Sequence, residues 1–427
     1  MVRRWFGYLL TCLVYFSGPV RAEDGLVLIR AEAYLDVRRG ELVAPAHVIV
    51  EDGLIKEVNP DVVPEGTPII DLGSRVLLPG LMDMHTHLTD DYFTGDEWVT
   101  RPVLETAADY AIRGVVFAEK TLMAGFTTVR NVGALPGFAD IALARAIERD
   151  FLSGPDMWTA GHYISTSGGH CDITGFAPGV MELGPDHGIA DGQDAVRHAV
   201  RYQAKHGASV IKVCAGGGVY SNSRHAPVGA QQYSQEELDV IVAEAARLGL
   251  RVAAHAHGTD AINAAVRAGV ASIEHGSILS QESIELMKAN GTFLVPNAYL
   301  SEIPLPPDTP EATVEKNAYL IPLSDRSIRM AYEAGVNMAL GSDAGVYQHG
   351  LNGRELSALV RRGLPEVHVL RMATLFAAEL LGVEDRGVIE PGRRADMIGV
   401  DGDPLVDIGV VESVSFVMKG GRIYKGP

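Results

Sequence analysis

The chain has 427 residues, a hydrophobic fraction of 47% and a formal net charge of −18. This length exceeds what one small core needs and suits a barrel of typically ~250 residues with a smaller second domain. Basic residues do not cluster, so the composition argues against a nucleic-acid partner.

The first 22 residues have the features of a secretory signal. Arg3 and Arg4 form a basic start, residues 5–18 form an apolar stretch, and small residues near Ala22 suit a cleavage site. The alternative is an uncleaved membrane anchor, but the stretch is short for a span of ~20 residues. We therefore predict an exported protein, periplasmic or secreted, with no membrane association after cleavage.

Cleavage would remove Cys12 and leave Cys171 and Cys214. An oxidising compartment would permit a disulfide between these two cysteines. However, Cys214 lies in an apolar run typical of a buried strand, and no activating pattern accompanies it. We therefore expect a buried free thiol that belongs to the core.

Both ends of the mature chain have the pattern of β structure. Residues 23–79 contain short apolar runs broken by turn residues, and Asp52-Gly53 between two of them is a hairpin signal. Residues 386–427 have a similar pattern. We predict that the two segments form one small β-sandwich domain beside a central domain.

The central region, residues 80–385, alternates apolar strands with helical patterns, which predicts a parallel sheet. The order of elements favours an α/β fold, a closed (β/α)8 TIM-like barrel. In such barrels the functional side chains lie at the carboxyl ends of the strands. The eight candidate strands are residues 81–87, 126–132, 156–162, 209–215, 251–257, 271–275, 292–298 and 336–342.

Two histidines, His85 and His87, end the first candidate barrel strand. Alternate residues of a strand share a face, so both imidazoles project in the same direction. Two adjacent imidazoles can hold one metal ion. The pair alone is a modest signal, and its weight comes from further ligand types downstream.

Four later strand ends supply those ligand types. Lys212 lies among apolar strand residues, where a charge needs a partner. It either reaches solvent from an edge strand or reacts with CO2 to form a carbamate, an anionic ligand that can bridge two metal ions. Burial favours the second reaction because it lowers the lysine pKa. His255, His275 and Asp343 end further strands, and His257 leaves the choice of the strand-5 ligand open.

Together these motifs resemble the binuclear-metal branch of the amidohydrolase superfamily over the whole mature length. The matching residues are His85, His87, Lys212, His255, His275 and Asp343. The runs at residues 161–165, 168–170, 231–234 and 254–258 are similar to prolidase-like and Xaa-Arg/Lys dipeptidase-like members. That group also includes ochratoxin-hydrolysing amidases.

The resemblance implies two divalent metal ions, most consistent with zinc. It assigns His85 and His87 to one ion and His255 and His275 to the other. It also implies that Lys212 is carboxylated (N6-carboxylysine) and lies between the two ions.

The same resemblance implies that a hydroxide bridging the two ions attacks the substrate. Asp343 would be a ligand of the first ion and would pass the proton of the hydroxide to the leaving amine. His162 and His257 would donate hydrogen bonds to the developing oxyanion. His255 is favoured over His257 as the ligand, because the family pattern places the second residue further out, towards the substrate.

The implied activity is the hydrolysis of an amide or peptide bond that releases a C-terminal amino acid, as in dipeptidases and carboxypeptidases. The substrate is a dipeptide or another small molecule, and N-acyl amino acids such as ochratoxin A belong to this class. The candidate substrate-binding residues are His170, Arg224, Tyr233, Tyr299 and Glu302. Arg224, with His225 beside it, would hold the carboxylate. Tyr299 suits an apolar leaving residue and Glu302 a basic one.

Two alternatives compete with this interpretation. A deaminase or cyclic-amide hydrolase of the same superfamily, such as an imidazolonepropionase-like enzyme, often uses one metal ion and lacks the lysine, so Lys212 counts against it. A non-catalytic assembly protein on the same barrel usually lacks ligands, and none is missing from this sequence. The resemblance also implies a homo-oligomer, with an octamer as one arrangement.

Overall fold

The computed structural model describes residues 25–91, 97–221 and 227–426. The predicted signal, residues 1–22, and the candidates Arg224 and His225 lie outside the described residues. Within the described ranges, 17 strands and 11 α-helices are formed.

The two ends of the chain form two sheets that pack face to face. The first sheet has the order β5-β4-β1-β6 and the second the order β17-β16-β15-β7-β2-β3. The strands are β1 (Val27–Ala31), β2 (Ala33–Asp36), β3 (Glu41–Val43), β4 (Ala46–Glu51), β5 (Leu54–Val58), β6 (Ile69–Asp71), β7 (Val76–Pro79), β15 (Met397–Val400), β16 (Phe416–Lys419) and β17 (Arg422–Lys425). Apolar side chains of both sheets, such as Ile29, Val48 and Phe416, meet in one core between them.

The predicted hairpin joins β4 to β5, where Glu51 pairs with Leu54 across the turn. Asp52 and Gly53 have φ of 51° and 79°. Positive φ at both central residues is what a tight two-residue hairpin requires, because it matches the twist of the two strands.

The central part of the chain is a barrel of parallel strands. Seven of them are regular: β8 (Leu81–Thr86), β9 (Phe126–Asn131), β10 (Asp156–Thr159), β11 (Ile211–Cys214), β12 (Val252–Ala256), β13 (Ser272–His275) and β14 (Phe293–Val295). Strands β8 to β10 form one sheet and β11 to β14 another. Parallel bridges link the two sheets, from Ile164 to Val213 and, through an eighth segment, from Leu294 to Met338 and from Ala344 to Thr86. The eight segments therefore follow the chain order predicted for a (β/α)8 barrel.

Helices surround these strands. They are α1 (Glu97–Leu104), α2 (Ala107–Met123), α3 (Ala139–Glu148), α4 (Gln193–His206), α5 (Gln235–Arg247), α6 (Thr259–Ala268), α7 (Gln281–Asn290), α8 (Glu311–Ala334), α9 (Arg354–Arg361), α10 (Glu366–Met372) and α11 (Leu375–Leu381). Ser234 and Ser280 cap α5 and α7 by accepting hydrogen bonds from backbone N–H groups of the first turn. Among the described helices, none combines the length and apolar character that a membrane crossing needs.

A disulfide joins Cys171 to Cys214, with the two Cα atoms 6.2 Å apart. The prediction that Cys214 is a free thiol was therefore wrong. Cys214 ends β11, and the loop that contains Cys171 returns over this strand end after leaving the third barrel segment. The bond attaches that loop to the mouth of the barrel, two residues along the strand from Lys212.

Candidate metal centre and active site

The first group of candidate ligands comes from the two strand ends that close the barrel. His85 and His87 belong to the end of β8, and Asp343 belongs to the eighth segment. The Nε2 atoms of both histidines lie 3.3 Å from Oδ1 of Asp343. A tetrahedral ion with bonds of about 2.0–2.1 Å separates its ligands by about 3.3–3.4 Å, so both of these distances suit ligands of one ion. All three ligand atoms lie within 4.8 Å of one another.

Hydrogen bonds at the far side of each ring determine which nitrogen faces the cluster. Nδ1 of His85 lies 2.8 Å from Oε2 of Glu274, and Nδ1 of His87 lies 3.0 Å from the carbonyl oxygen of Gly133. Both oxygens accept, so each Nδ1 carries the proton and each Nε2 presents a lone pair to Asp343. Two lone pairs and a carboxylate oxygen repel one another unless a cation lies between them. This arrangement fits a metal ion.

The second group contains His255 and His257 from the end of β12 and His275 from the end of β13. One ring nitrogen from each residue lies within 4.8 Å of the others. Nε2 of His255 is buried and has no hydrogen-bond partner among the described residues. His257 lies two residues nearer the mouth, and its Nδ1 is 2.8 Å from Oγ of Ser277. The geometry brings both candidate strand-5 histidines to the cluster, with His255 the deeper of the two.

Lys212 is 3% exposed, and its Nζ forms no hydrogen bond or salt bridge with any described residue. Burial, offset in part by the charges of Glu274 and Asp343, lowers its pKa to about 8. Burial is also the main cause that lowers the pKa of His275, and the Lys212 charge adds to it. An amine in this setting is far more often neutral than a solvated lysine, and only a neutral amine can react with CO2.

His275 and Asp343 have left-handed backbone conformations, with φ of 69° and 61°. Non-glycine residues rarely adopt this conformation, and it tends to persist at functional sites where the surroundings impose it. The turn at His275 also interrupts the strand alternation, which explains how Glu274 and His275, neighbours in sequence, both reach the centre.

A buried ion pair, missed by the sequence interpretation, supports the first cluster from below. Nη2 of Arg130 donates to Oε1 of Glu274 at 2.8 Å, and its Nε donates to the carbonyl of Met84 at 2.7 Å. Burial tends to raise the pKa of Glu274, but the Arg130 charge and the hydrogen bond from His85 hold that pKa at about 2. A carboxylate fixed in this way orients His85 and increases the basicity of its Nε2. A charged residue directly before a candidate ligand, in an otherwise apolar strand, was the signal available in the sequence.

His162 lies after β10 and is 3% exposed. Its Nδ1 is 3.1 Å from the carbonyl oxygen of Asp186, while its buried Nε2 has no partner among the described residues. A carbonyl only accepts, so the proton lies on Nδ1 and the neutral ring presents an acceptor at Nε2. Burial lowers the His162 pKa to about 4, so this neutral form prevails near pH 7. The predicted role as a hydrogen-bond donor to the oxyanion therefore does not suit His162 in this tautomer.

His170 lies over the second cluster. Its ring packs on the ring of His255, with centroids 4.1 Å apart, and its Nδ1 is 2.9 Å from Oγ of Ser221. The disulfide at the next residue, Cys171, fixes this loop. The structure thus brings the predicted substrate candidate His170 next to the metal-ligand candidates.

Three other substrate candidates are engaged elsewhere. Tyr233 is 1% exposed, packs in the main core and donates its hydroxyl to the carbonyl of Ala190, so its predicted substrate role is a misassignment of a core residue. Glu302 pairs with Arg361, the last residue of α9, and with Arg362, the residue after it, so its charge is not available to a basic substrate group. The hydroxyl of Tyr299 accepts from Nη1 of Arg354 at 2.7 Å, and only its ring remains available as a pocket wall.

Comparison with known proteins decides the family. The model of the amidohydrolase family matches residues 76–425. The chain belongs to the amidohydrolase family. Ochratoxinase from Aspergillus niger is 35% identical over 376 residues, which cover 82% of this chain and 76% of that protein.

Solved structures agree with the family assignment. A crystal structure of a Xaa-Pro dipeptidase with methionine bound in its active site has a TM-score of 0.88 at 36% identity, covering 94% of this chain and 100% of that one. The crystal structure of A. niger ochratoxinase has a TM-score of 0.83 at 32% identity, covering 94% of this chain and 96% of that one. These likenesses confirm the TIM-barrel fold and the prolidase-like and ochratoxinase branch. They also confirm that the chain is a hydrolase acting on amide or peptide C–N bonds, against the non-catalytic alternative.

Proposed function

We propose that this amidohydrolase uses two divalent metal ions to cleave an amide or peptide bond and release a C-terminal amino acid. The observation that carries the proposal is the convergence of two ligand clusters around one buried lysine. Each cluster supplies nitrogen or carboxylate atoms from strand ends, and the charge of Lys212 acts on His87 in one cluster and on His275 in the other.

The donor set fits the two ions. His85, His87 and Asp343 would hold one ion, His255 and His275 the other, and carboxylated Lys212 would contribute an oxygen to each. The first ion would then have two imidazoles, a carboxylate and a carbamate oxygen as ligands, and the second two imidazoles and a carbamate oxygen; such nitrogen and oxygen ligands suit zinc. When bound, such ions lower the pKa of water towards about 7 and polarise a substrate carbonyl.

The residues of the chain would then handle protons and charge. Asp343 presents Oδ1 to the centre, 3.3 Å from Nε2 of His85 and from Nε2 of His87, where a carboxylate can accept a proton. In this proposal Asp343 takes the proton of the attacking water and returns it to the leaving amine. His257 supplies the donor to the oxyanion when Ser277 donates to its Nδ1, which leaves a proton on Nε2. Loss of one such donor costs about 10²–10³ in kcat in other enzymes.

A released amino acid carries a carboxylate, which a cation should hold. Among the described residues, Lys316 of α8 is placed for this task. Its Nζ donates to the backbone oxygen of Ser221 at 2.8 Å, and Oγ of Ser221 contacts His170, which packs on His255. Two of the three ammonium hydrogens of Lys316 remain for a substrate carboxylate.

The relatives support an amino-acid leaving group. One is named an ochratoxinase, and another is described as a Xaa-Pro dipeptidase with methionine in its active site. Export, zinc as the metal and assembly into a homo-oligomer belong to the same proposal and rest on the sequence interpretation.

A hydrolysis panel tests the proposal. The purified metal-loaded protein should hydrolyse at least one of Xaa-Pro, Xaa-Arg/Lys and Xaa-Phe dipeptides or an N-acyl amino acid such as ochratoxin A. The matched controls are the same compounds with the C-terminal carboxylate converted to a carboxamide, which should be turned over more slowly. Exclusive turnover of cyclic amides or free nucleobases would overturn it in favour of the deaminase class.

A further inference from the structure

Asn297 lies just beyond β14, between the strand ends that carry His275 and Asp343. Its φ is 53°, close to the 69° of His275 and the 61° of Asp343. Three consecutive segments of the barrel therefore end in a non-glycine residue with left-handed backbone. Two of these residues belong to the candidate metal centre, and Asn297 has no role in it.

The carboxamide of Asn297 is buried without a partner. The residue is 4% exposed, and neither Oδ1 nor Nδ2 forms a hydrogen bond with any described residue. Buried amides are nearly always paired, because an unpaired donor or acceptor loses its hydrogen bonds to water without replacement. Both ends of this side chain are thus free for a ligand.

The backbone around Asn297 is held by other groups. Glu355 of α9 accepts hydrogen bonds from the N–H groups of Ala298 and Tyr299 at 2.6 and 2.7 Å. The side chain of Asn297 therefore does not hold the loop.

We propose that Asn297 is a substrate-binding residue whose Nδ2–H donates to an oxygen of the amide substrate. The inference rests on the proposed function and adds a contact to it. Asn297 ends the seventh barrel segment and His162 follows the third, so they lie on opposite walls of a ring of eight. Each presents a buried polar atom without a partner, as expected of two walls that close on a polar substrate.

A purely conformational role is the competing explanation, because asparagine tolerates left-handed backbone better than most residues. Asn297→Gly separates the two, since glycine adopts the same φ and removes the side chain with its carboxamide. Asn297→Asp retains the shape but replaces the donor with an acceptor. Asn59→Gly is the matched control: Asn59 has φ of 50° in the β-sandwich, and its Oδ1 accepts from the backbone N–H of His47.

For Asn297→Gly and Asn297→Asp we expect kcat/KM to fall at least about tenfold, with the metal content of the wild type. The thermal midpoint of Asn297→Gly should equal or exceed that of the wild type, because a buried unpaired amide is removed. Asn59→Gly should retain wild-type kcat/KM. Activity of Asn297→Gly within twofold of the wild type would overturn the proposal, and so would a lower midpoint accompanied by loss of metal.

Paired substrates identify the oxygen. If Nδ2 of Asn297 donates to the carboxylate of the leaving amino acid, Asn297→Gly should lower kcat/KM less for a dipeptide C-terminal carboxamide than for the dipeptide. If Nδ2 donates to the scissile carbonyl, Asn297→Gly should lower kcat/KM equally for the dipeptide and for its carboxamide. A wild type that turns over no member of the panel overturns the proposed function, whereas an active wild type with an unimpaired Asn297→Gly overturns only the assignment of Asn297.

Discussion

Substitution of Glu274 by glutamine tests the support beneath the metal centre. The carboxylate of Glu274 is fully buried and accepts hydrogen bonds from His85, Arg130 and Ser272. Glutamine has the same shape, but one of its two terminal atoms becomes a donor. That NH2 must then face a donor, either on the imidazole or on the guanidinium.

Two consequences follow, with different magnitudes. Loss of the partner that orients a ligand histidine typically lowers metal affinity by about 10- to 100-fold, or roughly 1.4–2.7 kcal/mol. Loss of the negative charge also leaves Arg130, which is 2% exposed, as a buried cation without a counter-charge. Breaking such a pair typically costs about 3–5 kcal/mol of stability. Glu274→Gln should therefore bind metal more weakly and unfold at a lower temperature.

Competition with a chelator measures the metal affinity, and thermal unfolding of the metal-free protein measures stability separately. The matched control is Glu244→Gln, because Glu244 also pairs with arginines, among them Arg201 and Arg247, but on the outside of the barrel. This control should retain wild-type metal affinity. Wild-type affinity and wild-type stability in Glu274→Gln would show that Glu274 neither orients His85 nor balances the charge of Arg130.

Three further predictions concern the carboxylate contact, the disulfide and the lysine. Lys316→Gln should raise KM for dipeptides at least about tenfold but leave KM for their C-terminal carboxamides unchanged. The control Lys288→Gln removes a similar contact to a backbone carbonyl and should leave KM for both kinds of substrate unchanged. Reduction, or serine at both Cys171 and Cys214, should lower the free energy of unfolding by up to about 4 kcal/mol, because the bond closes a loop of 43 residues; equal denaturation midpoints with and without reductant would contradict this. With a pKa of about 8, the neutral fraction of Lys212 rises from roughly a tenth at pH 7 to half at pH 8. Reactivation of the metal-free protein by zinc and a fixed concentration of dissolved CO2 should therefore become faster as the pH rises and level off above pH 9. A reactivation rate that does not depend on pH would count against carbamate formation.

Much of this site follows from strand geometry. His85 and His87 are two residues apart, so the alternation of a strand alone places both imidazoles on one face. The order of strands and helices predicts the barrel, and the barrel predicts that Lys212, His255 and Asp343 meet at one end. These steps need only local periodicity and the rule that parallel strands share a direction.

The features that were missed depend on departures from local periodicity. A regular strand pattern does not predict that Glu274 and its neighbour His275 both reach the centre, because adjacent strand residues face opposite sides. The left-handed backbone at His275 allows both side chains to do so. The disulfide joins a loop to a strand, and no spacing rule brings Cys171 to Cys214.

Tyr233 illustrates the opposite error. It lies in a run that resembles a family motif, yet its ring packs in the core rather than at the mouth of the barrel. The strands predicted at residues 156–162 and 336–342 are longer and more continuous than the observed ones. β10 ends at Thr159, and the eighth segment is held by isolated bridges. Proximity in sequence to a functional motif does not determine the direction in which a side chain points.

Anomalous diffraction from crystals of the zinc-loaded protein tests the binuclear centre most directly. We expect two zinc peaks per chain, one bonded to His85, His87 and Asp343 and the other to His255 and His275, with density for a carboxylated Lys212 touching both. A single peak, or an unmodified Lys212 directed away from the metal, would contradict it.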